Sequence, residues 1–233
     1  KPPSIPPKRE GEAAAAAPLA RIAAPDDAVG AWEALDPAAV RRAARVAGGA
    51  LPAGPLAGVG IGVKDIIATR DLPTTAGSPI FADYRPDHDA ACIAHLRAAG
   101  AFVFGKTVTT PFAYMDPAGT RNPHHRAHTP GGSSSGSAAA VAAGHVAGAI
   151  GTQTNGSVIR PAAYCGVVGY KPTLGAIPVH GVHPFSPTFD TVGTFARSVG
   201  DAALLAGALV EGGRLPDRVA LPAHRPRFAW LSQ

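Results

Sequence analysis

Ser133-Ser134-Ser135-Gly136-Ser137 puts four hydroxyls into five positions behind Pro130-Gly131-Gly132, and Thr154-Asn155-Gly156-Ser157 adds another serine further on. Hydroxyls and glycines in this density suit two kinds of chemistry. A Gly-rich loop that opens a helix can aim backbone N–H groups at an anion. The phosphate-loop order G-x-x-x-x-G-K-[ST] is not met, because no lysine follows the glycines, and G-x-G-x-x-G is missing from the loop. The other chemistry is nucleophilic catalysis, in which a serine needs a base and also N–H donors for a developing oxyanion. Thr154-Asn155-Gly156-Ser157 is a turn of small residues whose successive N–H groups can point into one hollow. The esterase elbow G-x-S-x-G does not fit it: Gly156 is adjacent to Ser157, and Ile159 stands where a glycine is needed. S-x-x-K does not fit Lys64 either, since position 61 is Ile61. Lys64 is one of five lysines among 21 cationic side chains. It ends a strand-like run, where a salt bridge to Asp65 or a solvated strand end is the ordinary reading, because lysine is seldom buried.

The elements that must carry these residues follow from pattern. Residues 1–27 are rich in Pro and Ala without periodicity and read as a tail or linker. Asp36-Pro37 is an N-cap followed by proline at the first helical position, and the helix runs to Gly48-Gly49. Its arginines Arg41, Arg42 and Arg45 read as a water-facing surface. Leu56 to Ala68 reads as a strand, with Gly58, Gly60 and Gly62 leaving one face open to close approach of another backbone. Asp89 to Ala99 reads as a helix with an acidic start, Ala101-Phe-Val-Phe-Gly105 as a buried strand, and Thr110-Pro111-Phe112 as a short helix. The Leu56–Ala68 strand, the Asp89–Ala99 helix and the strand from Ala101 form a strand–helix–strand unit.

The Ala/Val run from Ser137 to Gly148 reads as a short buried helix with a serine N-cap. Ala149–Thr152 follows as a strand and Val167–Tyr170 as another. Asp190–Phe195 alternates polar and apolar residues. Ser198 caps a helix through Leu209 to Gly212-Gly213, and Arg227–Leu231 is strand-like. Alternating strands and helices predict an α/β fold, an α/β/α sandwich around a mixed, mostly parallel β-sheet. The chain starts without methionine and stops just after a strand-like segment. It reads as the N-terminal part of a longer protein, with the fold incomplete at the C-terminus.

Bulk properties narrow the class. With 233 residues, a net charge of +5 and only 16% charged side chains, the chain can bury a large core. It carries no basic block suited to nucleic acid. Cys92 and Cys165 are far apart and outside any C-x-x-C, which predicts free thiols in a reducing, cytoplasmic compartment. No apolar run reaches transmembrane length, and no secretory signal is visible. His124, His125 and His128, and Cys92 with His95, lack the spacing and acidic company of a metal set, so no metal or other cofactor is expected.

Gly60-Ile-Gly-Val-Lys64-Asp, Gly131-Gly-Ser-Ser-Ser-Gly-Ser137, Gly151-Thr-Gln-Thr-Asn-Gly-Ser157-Val-Ile-Arg160-Pro-Ala and Cys165-Gly…Gly169-Tyr-Lys-Pro-Thr173 occur in this order. Together they resemble the amidase signature family over roughly residues 30–232, within a domain taken as 28–233. The wording around Ser157 is similar to its malonamidase-like branch, and amidotransferase A subunits share Arg160.

The resemblance implies a Ser–cis-Ser–Lys triad with Ser157 as nucleophile, Ser133 as the bridging serine in a cis peptide, and Lys64 as base. Thr154, Asn155, Gly156 and Ser157 would form the oxyanion hole, and Arg160, Ser134 and Thr152 would face the substrate. Many relatives carry Gly-Gly-Ser where this chain has Asn155-Gly156-Ser157. Arg160 has two readings, a fork for a substrate carboxylate or a clamp on the loop. The implied activity is hydrolysis of a small carboxamide through an acyl-enzyme with release of ammonia. The expected partners are that small-molecule substrate and a second copy in a homodimer, with no nucleic acid bound directly and no membrane. The alternatives are the glutaminase component of a tRNA-dependent amidotransferase, like the A subunits of those enzymes, and a catalytically silent or truncated member.

Overall fold

The structure, a computed structural model, describes residues 13–24, 28–49 and 54–211. Six strands, β1 (Trp32–Ala34), β2 (Gly60–Lys64), β3 (Phe102–Thr107), β4 (Gly148–Gln153), β5 (Val168–Tyr170) and β6 (Thr191–Ala196), form one sheet. Their order is β1-β3-β2-β4-β6-β5. β2 runs parallel to both β3 and β4, and the other three pairings are antiparallel. The sheet is therefore mixed, with its parallel character confined to β3, β2 and β4. Their carboxyl ends lie side by side and carry Thr107, Lys64 and Thr152. Ligand sites of open α/β sheets are found at this end of the strands.

Side chains alternate across the sheet and divide between two cores. Ile61, Val63, Val103, Ile150 and Val192 pack on one side with Ile93 and Leu96 of α3 (Ala91–Ala98) and with Leu205 and Leu209 of α6 (Val199–Leu209). Phe102, Phe104, Ala149 and Phe195 pack on the other. There they meet α1 (Ala13–Ile22), α2 (Pro37–Gly49), α4 (Ser135–Ala142) and α5 (Ile159–Tyr164). The molecule is thus the expected α/β/α sandwich. α4 is buried all round from Ser135 to Val141, as an Ala-rich helix wedged behind a sheet must be.

Several local expectations change. Within the stretch expected as a tail, residues 13–22 form α1, whose Ala15 and Leu19 are buried against the second core. Alanine is the best helix former, and Ala15, Leu19 and Ile22 give the segment an apolar side that docks on this core. The long strand from Leu56 shrinks to Gly60–Lys64, with residues 55–58 in a turn. At Gly60 the neighbours that come close are rings, not backbone: a Cβ there would lie 2.7 Å from Phe104 Cδ2 and 2.9 Å from Phe102 Cζ.

α3 starts at Ala91 without an acidic cap, because Asp89 is engaged by the backbone N–H of Arg70 and the guanidinium of Arg97, each at 3.0 Å. β1 and α5 had no counterpart in the sequence pattern. The strand expected at 227–231 lies outside the described residues. Asp36 Oδ1 does cap α2, accepting from the N–H groups of Ala38 and Ala39, and Ser198 Oγ caps α6.

Candidate active site

Lys64 is the last residue of β2, and its side chain is fully buried. Its partner is not Asp65. Nζ donates to Ser133 Oγ at 2.7 Å and to Thr152 Oγ1 at 2.8 Å. Strand alternation sends Asp65 to the opposite side, where Lys106 of β3 meets it at 3.0 Å with both side chains fully buried. The ordinary reading of Lys64 as the salt-bridge partner of Asp65 is thus corrected: a second lysine takes that role. With only neutral hydroxyls for company, desolvation brings the Lys64 pKa down to about 7, against a pull in the other direction from Asp190.

Burial also sorts the serine loop by role. Ser134 is fully buried, and its Oγ donates to Thr152 O at 3.2 Å and accepts from Thr152 N at 3.3 Å. Both bonds run to the same residue, so Ser134 Oγ ties the serine loop to β4. The same engagement explains why this residue, at the N-cap of α4, makes no side-chain cap. Ser135 Oγ donates to Val108 O, and Ser137 Oγ to Ile150 O. Ser133 alone of the four turns its hydroxyl to Lys64, and the Gly132–Ser133 peptide is cis. Thr152 Oγ1 accepts from the same amine.

Two glycines let these parts meet. A Cβ on Gly151 would lie 2.6 Å from Ser134 Oγ, and one on Gly136 would lie 2.4 Å from both Ala31 O and Val108 N.

Ser157 is buried in the turn between β4 and α5. Its hydroxyl makes no hydrogen bond to a described residue, so the expected series is closed between Lys64 and Ser133 and open between Ser133 and Ser157. The backbone N–H groups of Asn155, Gly156 and Ser157 likewise donate to no described acceptor. The next two, of Val158 and Ile159, both donate to Gln153 Oε1 at 2.9 Å.

Gln153 thus caps α5 from the end of β4, a role invisible in the sequence because the capping residue lies outside the helix it serves. Asp190 was also missed. Its Oδ1 accepts from Thr154 Oγ1 at 2.6 Å, and its Oδ2 accepts from the N–H groups of Phe185 and Ser186.

Arg160 donates through Nη1 to Gly132 O at 3.2 Å and lies over Gly156, tying the two loops together. It also lines a cavity of about 190 Å³ beside Gly132, with Thr110, Tyr114, Met115 and Tyr164. A second cavity, of about 310 Å³ near Phe81 and His183, contains none of the predicted site residues. No group of three or more His, Cys, Asp or Glu side chains able to hold a metal ion occurs among the described residues. Cys92 and Cys165 are free and buried.

The parallel strand ends thus deliver a buried amine, its pKa brought down to about 7, to a serine hydroxyl. Comparison with known proteins supplies the class. The Amidase family profile matches residues 13–229, and the chain belongs to that family.

It is 46% identical over 199 residues to the A subunit of the glutamyl-tRNA(Gln) amidotransferase of Anaeromyxobacter sp. (strain K), a match covering 81% of this chain and 40% of that protein. Among solved structures it resembles the native peptide amidase from Stenotrophomonas maltophilia, with TM-score 0.78 and 37% identity over 91% of this chain and 48% of that one. It also resembles the A subunit of the glutamyl-tRNA(Gln) amidotransferase of Thermotoga maritima, with TM-score 0.74 and 34% identity over 85% and 43% of the two chains. The chain therefore spans less than half the length of these relatives. No helix among the described residues is long and apolar enough to cross a membrane.

Proposed function

We propose that the chain carries the catalytic centre of an amidase that hydrolyses the C–N bond of a small carboxamide. Ser157 is the nucleophile, Ser133 the relay and Lys64 the base. The observation that carries this reading is the 2.7 Å contact between Ser133 Oγ and a fully buried Lys64 whose pKa lies near 7. Near neutral pH a large fraction of Lys64 is an amine. It keeps one hydrogen for Thr152 and offers its lone pair to the Ser133 proton.

Ser157 attacks the amide carbon while its proton passes to Ser133 and that of Ser133 to Lys64. The carbonyl oxygen becomes an oxyanion facing the unclaimed N–H groups at 155–157. Collapse breaks the C–N bond, the relay returns its proton to the departing nitrogen, and ammonia leaves. Water then attacks the Ser157 ester by the same route and releases the acid. The open Ser133–Ser157 link is compatible with this, since catalytic hydrogen bonds commonly tighten only with substrate bound.

A second reading keeps the site and changes its setting: the similarity to amidotransferase A subunits supports a glutaminase component that delivers ammonia to a partner-bound substrate. Hydrolysis of simple amides by the purified protein alone supports the amidase, and activity only with partner proteins supports the component. A fluorophosphonate probe should label Ser157 covalently. Ser157→Ala should abolish the label, and Ser133→Ala or Lys64→Ala should slow it by about 10²–10⁴-fold, the usual weight of a positioned base. Equal labelling of wild type and Ser157→Ala would exclude this serine as the nucleophile.

A further inference from the structure

Asp190 stands immediately before β6, is almost fully buried, and spends both carboxylate oxygens on hydrogen bonds. Oδ1 accepts from Thr154, the residue that opens the Thr154–Ser157 turn. Oδ2 accepts from two successive N–H groups, of Phe185 and Ser186. One carboxylate therefore joins the turn to a segment from a different part of the chain, through three donors that need an acceptor. We infer that Asp190 is a positioning residue of this site, holding the Thr154–Ser157 turn in place. The inference rests on the proposed roles of Ser157 and Lys64.

The Asp190 carboxylate has few charged rivals around the amine. Asp65, just after β2, and Lys106 of β3 are paired with each other. Glu33 of β1 interacts with that pair. β4 and the 130–142 segment carry no ionisable side chain. Arg160 of α5 is turned to Gly132 O. Asp190 is left as the group whose attraction favours the ammonium form of Lys64, against the desolvation that disfavours it. Its removal should therefore make Lys64 a weaker base that stays neutral to lower pH.

The direct test is NMR of the whole chain labelled with [13Cε]lysine, in which five lysine signals are followed with pH and Lys64 is assigned by its loss in Lys64→Met. In wild type Lys64 should titrate near 7. In Asp190→Asn the midpoint should fall by about one pH unit, the lower end of what an opposite charge nearby confers. Thr154→Val removes the tie and keeps the charge: the Lys64 midpoint should stay, while fluorophosphonate labelling of Ser157 slows about tenfold.

An unmoved midpoint in folded Asp190→Asn overturns the electrostatic role, and wild-type labelling of Thr154→Val overturns the positioning role whether or not Asp190→Asn folds. A wild-type Lys64 that titrates as an ordinary lysine would instead remove the base on which the proposed function stands.

Discussion

Two lysines stand near the carboxyl ends of neighbouring strands, and what faces each decides its chemistry. Lys106 meets a carboxylate at 3.0 Å, with Thr74 Oγ1 and Pro73 O taking further N–H groups, so its charge is compensated inside the protein. Lys64 meets two hydroxyls and little else, so desolvation wins and the amine is near neutral. The pairing makes a prediction that concerns Lys106 alone. Lys106→Met should leave Asp65 as an uncompensated buried charge and cost about 3–5 kcal/mol in urea denaturation. Lys106→Met combined with Asp65→Leu should recover a substantial part of that loss, since an apolar pair can replace a buried ion pair at little cost. A double variant as unstable as the single one would show that the charge is not the cause.

At this scale motif order picked out Lys64 and Ser133, which the fold brings into contact at 2.7 Å. It did not tell which of the two lysines would take Asp65, since that is decided by the register of two strands 42 positions apart in sequence. The bonding of Ser134 to Thr152 was illegible for the same reason. Nothing in Ser-Ser-Ser says which hydroxyl turns to the sheet and which to the amine.

Among the elements, α4 has the least freedom. Its first turn lies against the segment that follows β3, with Gly136 N donating to Val108 O and Ser137 Oγ to Ile150 O of β4. An alanine at Gly136 would place its methyl 2.4 Å from the backbone at Ala31 and Val108, and neither can yield as a flexible side chain would. Gly136→Ala should therefore push α4 off the sheet, costing about 1–3 kcal/mol. It should also slow labelling of Ser157, because Ser133 is carried on the same turn. Gly119→Ala, where an added Cβ meets nothing within 4 Å, is the matched control and should leave the melting temperature unchanged. Equal stability of the two variants would mean that the approach of α4 to β3 is not tight.

Periodicity located α4 only to within two residues at its start, since an all-buried helix has no polar face to mark its ends. It missed α5 altogether. That helix has a proline in its first turn and borrows its cap from Gln153 of another element, so the local signals of a helix start are not at its start.

Taken whole, the molecule buries an amine at the end of a central strand, and this couples global stability to the protonation of one site. In the unfolded chain Lys64 has a pKa of about 10.5, and in the fold about 7. Between these values the unfolded state holds a proton that the native state lacks, so stability contributed at this site rises with pH. Below pH 7 both states are protonated, and the native state bears the whole cost of burying the ammonium. Above about 10.5 neither is, and the cost disappears.

With about 1.4 kcal/mol per pKa unit, the full span is about 4–5 kcal/mol. Lys64→Met removes the titration while it also removes the bonds to Ser133 and Thr152, a loss that does not depend on pH in the same way. Groups common to both proteins cancel when the two are compared. The stability of Lys64→Met relative to wild type should therefore be greatest near pH 6 and should fall by about 4 kcal/mol by pH 10, measured by urea denaturation at each pH. Two stability curves running parallel across that range would mean that Lys64 keeps an ordinary lysine pKa inside the fold, and an ammonium at that position could not accept the proton of Ser133.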